Sequence, residues 1–178
     1  MTDGTVVELT DLSPPPIERD AFFRTVIRNI TGALQDTIGE EEAKGFVSVV
    51  GAAMGDDINS RYRHSLGAAY LDQTQVAAVL VDLKRRIGGE FTNTASTPRA
   101  IEFHNSRCPF GMSVLGRPSL CMMTSNVFGR IAAENLGYAR VELARTIARG
   151  DNHCRVKVHL QPHADAAPGV GREYFAVG

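Results

Sequence analysis

Residues 149–160 read Arg149-Gly150-Asp151-Asn152-His153-Cys154-Arg155-Val156-Lys157-Val158-His159-Leu160. Cys154, Val156, Val158 and Leu160 alternate with Arg155, Lys157 and His159. That is the period of an antiparallel strand with one face buried. Arg149-Gly150-Asp151-Asn152 carries hairpin-turn chemistry, so the preceding strand is predicted over Tyr138–Ile147. Pro162 ends the run. Working backward, Leu120 to Leu136 has helical spacing and stops at Gly137, while strands are predicted over 90–96 and 99–105, after Gly88-Gly89. The second half of the chain is therefore an antiparallel sheet crossed by one helix.

The first half has a different period. Phe22, Phe23, Val26, Ile27, Ile30, Leu34 and Ile38 recur at helical spacing over 20–38, with Asp20 as the cap. Gly39 stops this helix, and Glu40, Glu41 and Glu42 suit the positive start of a second. Phe46, Val49, Val50, Ala53, Met54, Ile58 and Tyr62 form its stripe to about residue 64, expected to face inward. Gly45, Gly51 and Gly55 weaken it but permit close approach of another helix. A third helix covers about 72–87, with Val76, Val79, Leu80, Leu83 and Ile87 inward. The fold class is α+β: N-terminal helices, then an antiparallel sheet with a crossing helix. The expected organisation is an extended lead-in at 1–19 containing Ser13-Pro14-Pro15-Pro16, one domain at 20–162, and a loose Gly-, Pro- and Ala-rich tail at 163–178. Tyr174 and Phe175 are the residues able to dock that tail.

Composition narrows the function classes. The 178 residues fit a single core and are 43% hydrophobic, with 19 Lys+Arg against 20 Asp+Glu and a net charge of −1. That balance argues against direct nucleic-acid binding and against polybasic membrane attachment. No apolar run approaches a membrane span, and the acidic start has no secretory pattern. A cytoplasmic protein is expected. Gly88-Gly89-Glu90-Phe91, Arg149-Gly150-Asp151 and Asn29-Ile30-Thr31 each match a short motif. Each reads better as a turn or helix segment in this context. The P-loop, nucleophile-elbow and zincin motifs are absent from the sequence.

Three cysteines remain, an odd count for a disulfide framework. Cys108 follows a strand in Cys108-Pro109-Phe110-Gly111. Cys121 lies in the first turn of a helix, where free N–H groups favour a thiolate. Cys154 opens the last strand and points inward. All three sit where the backbone changes direction, and such places can converge.

Cys108-Pro109-Phe110-Gly111, Pro118-Ser119-Leu120-Cys121 and Gly150-Asp151-x-x-Cys154 together resemble the methanogen output domain family, cysteine-bearing sensory or output domains of prokaryotic signalling proteins. The resemblance spans roughly 40–160. The ending is also similar to the four-vinyl-reductase small-molecule-binding domain, which implies a four-vinyl-reductase-like fold. That pattern carries a further cysteine where this chain has Thr146, so its zinc ligation does not transfer directly. The set that carries over is Cys108, Cys121 and Cys154.

Three thiolates suit zinc or an iron–sulfur cluster. Closed zinc coordination needs a fourth ligand, and the candidates are His104, Asp151, His153 and His64. None has compelling placement, which favours a [4Fe-4S] cluster held by three cysteines, with zinc as the alternative. The expectation is a non-enzymatic redox or gas sensor that acts through an unidentified protein partner. A homodimer formed through the apolar N-terminal helices is also expected. A second reading is a zinc-stapled carrier of an apolar, aromatic or tetrapyrrole-like ligand, lined by Phe110, Met112, Met122, Met123 and Phe128. A third is a cysteine enzyme with Cys121 as nucleophile, for which no local signature exists.

Overall fold

The computed structural model describes residues 17–162 and 171–177. The proline-rich lead-in, and 163–170 of the expected tail, lie outside them. The order is α1 (Arg19–Ile38), α2 (Glu40–Leu66), α3 (Gln73–Arg86), β1 (Phe91–Thr97), β2 (Ala100–Asn105), α4 (Cys121–Leu136), β3 (Tyr138–Arg145), β4 (Cys154–His159) and β5 (Arg172–Phe175). All pairings are antiparallel, and the sheet order is β1-β2-β4-β3-β5. This is the expected α+β architecture. Among the described residues no helix is long and apolar enough to cross a membrane.

Local chemistry explains the boundaries. α3 starts on a capping box in which the Asp72 carboxylate accepts from the Gln75 N–H and Gln75 Oε1 accepts from the Asp72 N–H. α2 ends on Gly67 in the left-handed conformation, whose N–H satisfies terminal carbonyls. The inner sheet face presents Ile101, Phe103, Val141, Val156 and Val158 to Val127, Phe128 and Ile131 of α4 and to Val76, Leu80 and Leu83 of α3. Phe128 meets Phe91 and Phe103 edge-on at 5.6 and 5.3 Å. The outer face is polar, with Glu102 bridging Arg155 and Lys157.

Five expectations change. The first part of the α2 stripe points the other way: Phe46, Val49, Val50 and Met54 are exposed, and Ala43, Ser48, Gly51 and Gly55 face inward, whereas Ile58 and Tyr62 pack on the core as expected. A side chain at Gly51 would press on Asn126 Cβ at 2.9 Å, and one at Gly55 on Arg130 Cβ at 2.8 Å. Small residues therefore win the α4 contact because they let the two backbones close up. On α1, likewise, Phe22, Phe23, Ile27 and Ile30 are exposed, and Thr31 and Gly32 are the buried residues. Ile87 also turns out to solvent. The β3–β4 connection is no tight hairpin. β3 stops at Arg145, and a 3-10 turn over Ile147–Arg149 follows, ended by Gly150 at φ 96°.

The last change is in the tail. Residues 172–175 form the edge strand β5, paired to Tyr138–Val141. Tyr174 is buried, its hydroxyl bonded to Ser125 at 2.8 Å and its ring resting on Gly129 of α4. Only glycine leaves room for that ring.

Candidate functional site

Asn105, the last residue of β2, is buried, and its Oδ1 accepts from the Glu90 and Arg107 N–H groups. That clamp fixes how the chain leaves the sheet towards Cys108. A 3-10 turn over Pro118–Leu120 leads directly into α4, which opens on Cys121. Asp151 caps the β3–β4 connection by accepting from the Thr146 N–H at 2.8 Å, and Cys154 begins β4 beyond it.

These three approaches bring Cys108, Cys121 and Cys154 to one cavity of about 30 Å³. All three thiols are free and half-buried. The walls are mainly apolar, from Phe91, Phe110, Leu120 and Val156, with Asn105, Thr124 and Thr146 as the polar members. The Ile147 N–H donates to the Cys154 sulfur at 3.4 Å. Burial raises the Cys108 thiol pKa, against which the Phe110 N–H favours the thiolate. Burial pushes Cys121 up to about 12, reinforced by Cys154 and Cys108. The helix start was expected to favour its thiolate, but desolvation wins. Thr146 Oγ1 is buried and has no hydrogen-bond partner of ordinary geometry among the described residues, yet it lies by the Cys121 sulfur.

The sequence reading missed Lys84. It lies on the buried stripe of α3, only 4% exposed. Its Nζ donates to Thr124 Oγ1 at 2.8 Å and stands 5.2 Å from the ring centres of both Phe91 and Phe128. Burial lowers its pKa to about 8, and the charged groups that oppose this are the three cysteines. Among the described residues no carboxylate pairs with it. Lys84 is four residues after Leu80 and one after Leu83, so a cation on the apolar stripe was visible as an anomaly.

The proposed fourth ligands do not join the cysteines. His104 and His153 stack on each other across the outer sheet face, ring centres 4.6 Å apart. Asp151 is committed to its turn, and His64 is exposed near the end of α2. Among the described residues no group of three or more His, Cys, Asp or Glu is spaced to hold a single metal ion. The suggested ligand-lining residues also scatter. Met112 is exposed, Phe128 is in the main core, and Phe110 lines the cysteine cavity.

Comparison with known proteins adds the family. The methanogen output domain 1 profile matches residues 26–159, well over half of the chain. The chain belongs to the methanogen output domain 1 family. The matched span of this output domain holds all three cysteines and Lys84. No curated protein matches the chain. Solved structures share its fold, two of them as follows. One is a trafficking protein particle complex subunit 3 from Naegleria fowleri covalently bound to palmitic acid, at 13% identity and TM-score 0.57, over 81% of this chain and 96% of that one. The other is the phenol-responsive sensory domain of the transcription activator PoxR with phenol, at 13% identity and TM-score 0.55, over 82% and 76%.

Proposed function

We propose that this output domain is a sensor that holds a [4Fe-4S] cluster on Cys108, Cys121 and Cys154 and signals its redox or gas state through a partner. The observation that carries the reading is Lys84. A buried ammonium with no carboxylate partner costs several kcal/mol unless an anion is supplied. Three thiolates on a cubane carrying two positive charges leave one net negative charge, which Lys84 balances. The lone Thr146 hydroxyl and the Ile147 and Phe110 N–H groups supply the donors that thiolate sulfurs accept. Such a cluster supplies a one-electron change and an iron open to a small ligand. A single zinc ion fits less well, because the thiols face a common cavity without single-ion spacing.

The cavity has room for about one water, so loading requires a wall to move. The wall suited to that is the segment between Cys108 and Pro118, which contains only a short 3-10 turn. α1 grips this segment directly. Arg28 donates to the Ser113 and Leu115 carbonyls, and Arg117 pairs with Asp36 at 3.2 Å. Movement at Cys108 therefore reaches α1, which is the route from site to partner. Any such signal must favour one of two packings.

A second reading is a carrier of a small apolar ligand, stapled by zinc. Two structures of this fold were solved with palmitic acid and with phenol, and the cavity walls are mainly apolar.

The test is protein purified without oxygen, with a visible spectrum and iron, sulfide and zinc analysis, repeated on Cys→Ser variants at 108, 121 and 154. Broad absorption with iron and sulfide, lost in each variant, is expected. Stoichiometric zinc without iron overturns the cluster in favour of the second reading, and absence of both metals overturns both.

A further inference from the structure

We propose that the outward face of α2, extended by α1, is a homodimer interface in which two copies of α2 pack antiparallel about a two-fold axis. The inference does not depend on the metal centre.

α2 spends its small residues on α4 and leaves its large ones in water. Phe46 is 59%, Val49 72%, Val50 51% and Met54 45% exposed. At 100° per residue these side chains fall in one stripe, with Glu42 at its start and Asp57 and Arg61 at its end. α1 exposes Phe22, Phe23, Ile27 and Ile30 as well. Roughly half-exposed apolar side chains of this size offer on the order of 100 Å² each. Eight of them approach the roughly 800 Å² per partner of a standard interface. Exposed apolar side chains in such number on two neighbouring helices mark an interaction surface.

Charge selects a second copy as the occupant. The N-terminal turn of α2 carries Glu40, Glu41 and Glu42, and its last turn carries Arg63 and His64. Lys44 already pairs with Glu40 and Glu41, which leaves Glu42 the acid on the stripe without an ion pair among the described residues. A two-fold axis between Val50 and Ala53 sets Glu42 of one copy opposite Arg61 of the second, at both ends, where Arg61 also holds Asp57 of its own helix at 2.8 Å and its exposed guanidinium can bridge both carboxylates. The same register sets Val49 against Met54, and Val50 against the small Ala53, where helices can close to about 8–10 Å. A parallel pairing would oppose like charges instead.

The test is analytical ultracentrifugation of the full chain, metal-free and reduced, from about 1 to 100 µM. Wild type is expected at twice 19.3 kDa. Val50→Glu is expected to weaken the dimer at least 100-fold with an unchanged far-UV circular dichroism spectrum. Glu42→Arg alone is expected to weaken it several-fold, and Glu42→Arg combined with Arg61→Glu to restore it. A monomer at 100 µM overturns the proposal, as does a dimer indifferent to Val50→Glu. A double reversal no better than the single one overturns the antiparallel register.

Discussion

Replacing Lys84 by Met isolates the price of the buried charge. The two side chains have similar length, and the apolar stem of the lysine is already packed. Lys84 has an ordinary pKa of 10.5 and is lowered by burial to about 8. Each unit is 1.36 kcal/mol, so the protonated side chain penalises the fold by about 3 kcal/mol. The sign follows from proton counting. Between about pH 8 and 10.5 the unfolded lysine holds a proton that the folded one has released, so wild-type stability gains with rising pH through this site. Below pH 8 both states are protonated and the full penalty stands. The cysteines titrate in both proteins, and their coupling to Lys84 leaves a smaller contribution in the difference, because loss of the ammonium raises the Cys108 thiol further. The Thr124 hydrogen bond, worth about 1 kcal/mol, changes the offset between the proteins more than the slope.

The assay is guanidinium unfolding of metal-free, reduced protein at pH 7 and pH 10.5, for wild type and Lys84→Met. The difference between them is expected to move by about 3 kcal/mol in favour of wild type as pH rises. With the cluster loaded, a neighbouring anion holds Lys84 protonated and the movement is expected to vanish. Parallel stabilities at both pH values in the metal-free protein would refute the reasoning, because they would mean that Lys84 is already balanced without a ligand.

Three further outcomes follow from contacts. Gly129→Ala is expected to lower stability by about 2 kcal/mol, because Tyr174 lies on that glycine, although helix propensity alone favours Ala by up to about 1 kcal/mol; the sign of the change in denaturation midpoint decides. Gly51→Val is expected to cost at least as much by forcing α2 off Asn126 and Met123, read by thermal melting. Arg28→Met removes the grip of α1 on Ser113 and Leu115, so hydrogen exchange in α1 is expected to stop responding to cluster loading while the visible spectrum persists; an undiminished response would remove α1 from the route.

The sheet half was legible because its signals are local. Alternation from Cys154 to Leu160 fixes the inner face of β4, and Gly137 marks the turn from α4 into β3. The helical half was legible as helices but not as faces. Periodicity shows that α2 has an apolar stripe, yet a second stripe of Ala43, Val47, Ser48, Gly51 and Gly55 competes for the core. The glycines held the answer, since only that face admits α4 closely. β5 hid in a glycine-rich segment because four residues carry little periodicity; its anchor is tertiary, Tyr174 on Ser125 and Gly129. At the site, chain reversals at Cys108, Cys121 and Cys154 foretold their convergence on one cavity. Lys84 went unseen because hydrophobic counting passes over a lysine inside an apolar run.

Two places in this molecule break the rules that the rest obeys. Among the described residues, one buries a cation without a carboxylate and leaves the Thr146 hydroxyl with only the Cys121 sulfur beside it. The other exposes aromatic and aliphatic side chains along α1 and α2. Each alone lowers the stability of an isolated, ligand-free chain, and the cluster and second copy proposed above are occupants that would restore it. They are not independent in space. α1 touches the Cys108–Pro118 segment through Arg28 and Asp36 and carries part of the exposed face on its other side. A shift of that segment by its own occupant must move a helix whose far side is apolar. Under the proposed function, a shift at the sulfur site would thereby alter that surface.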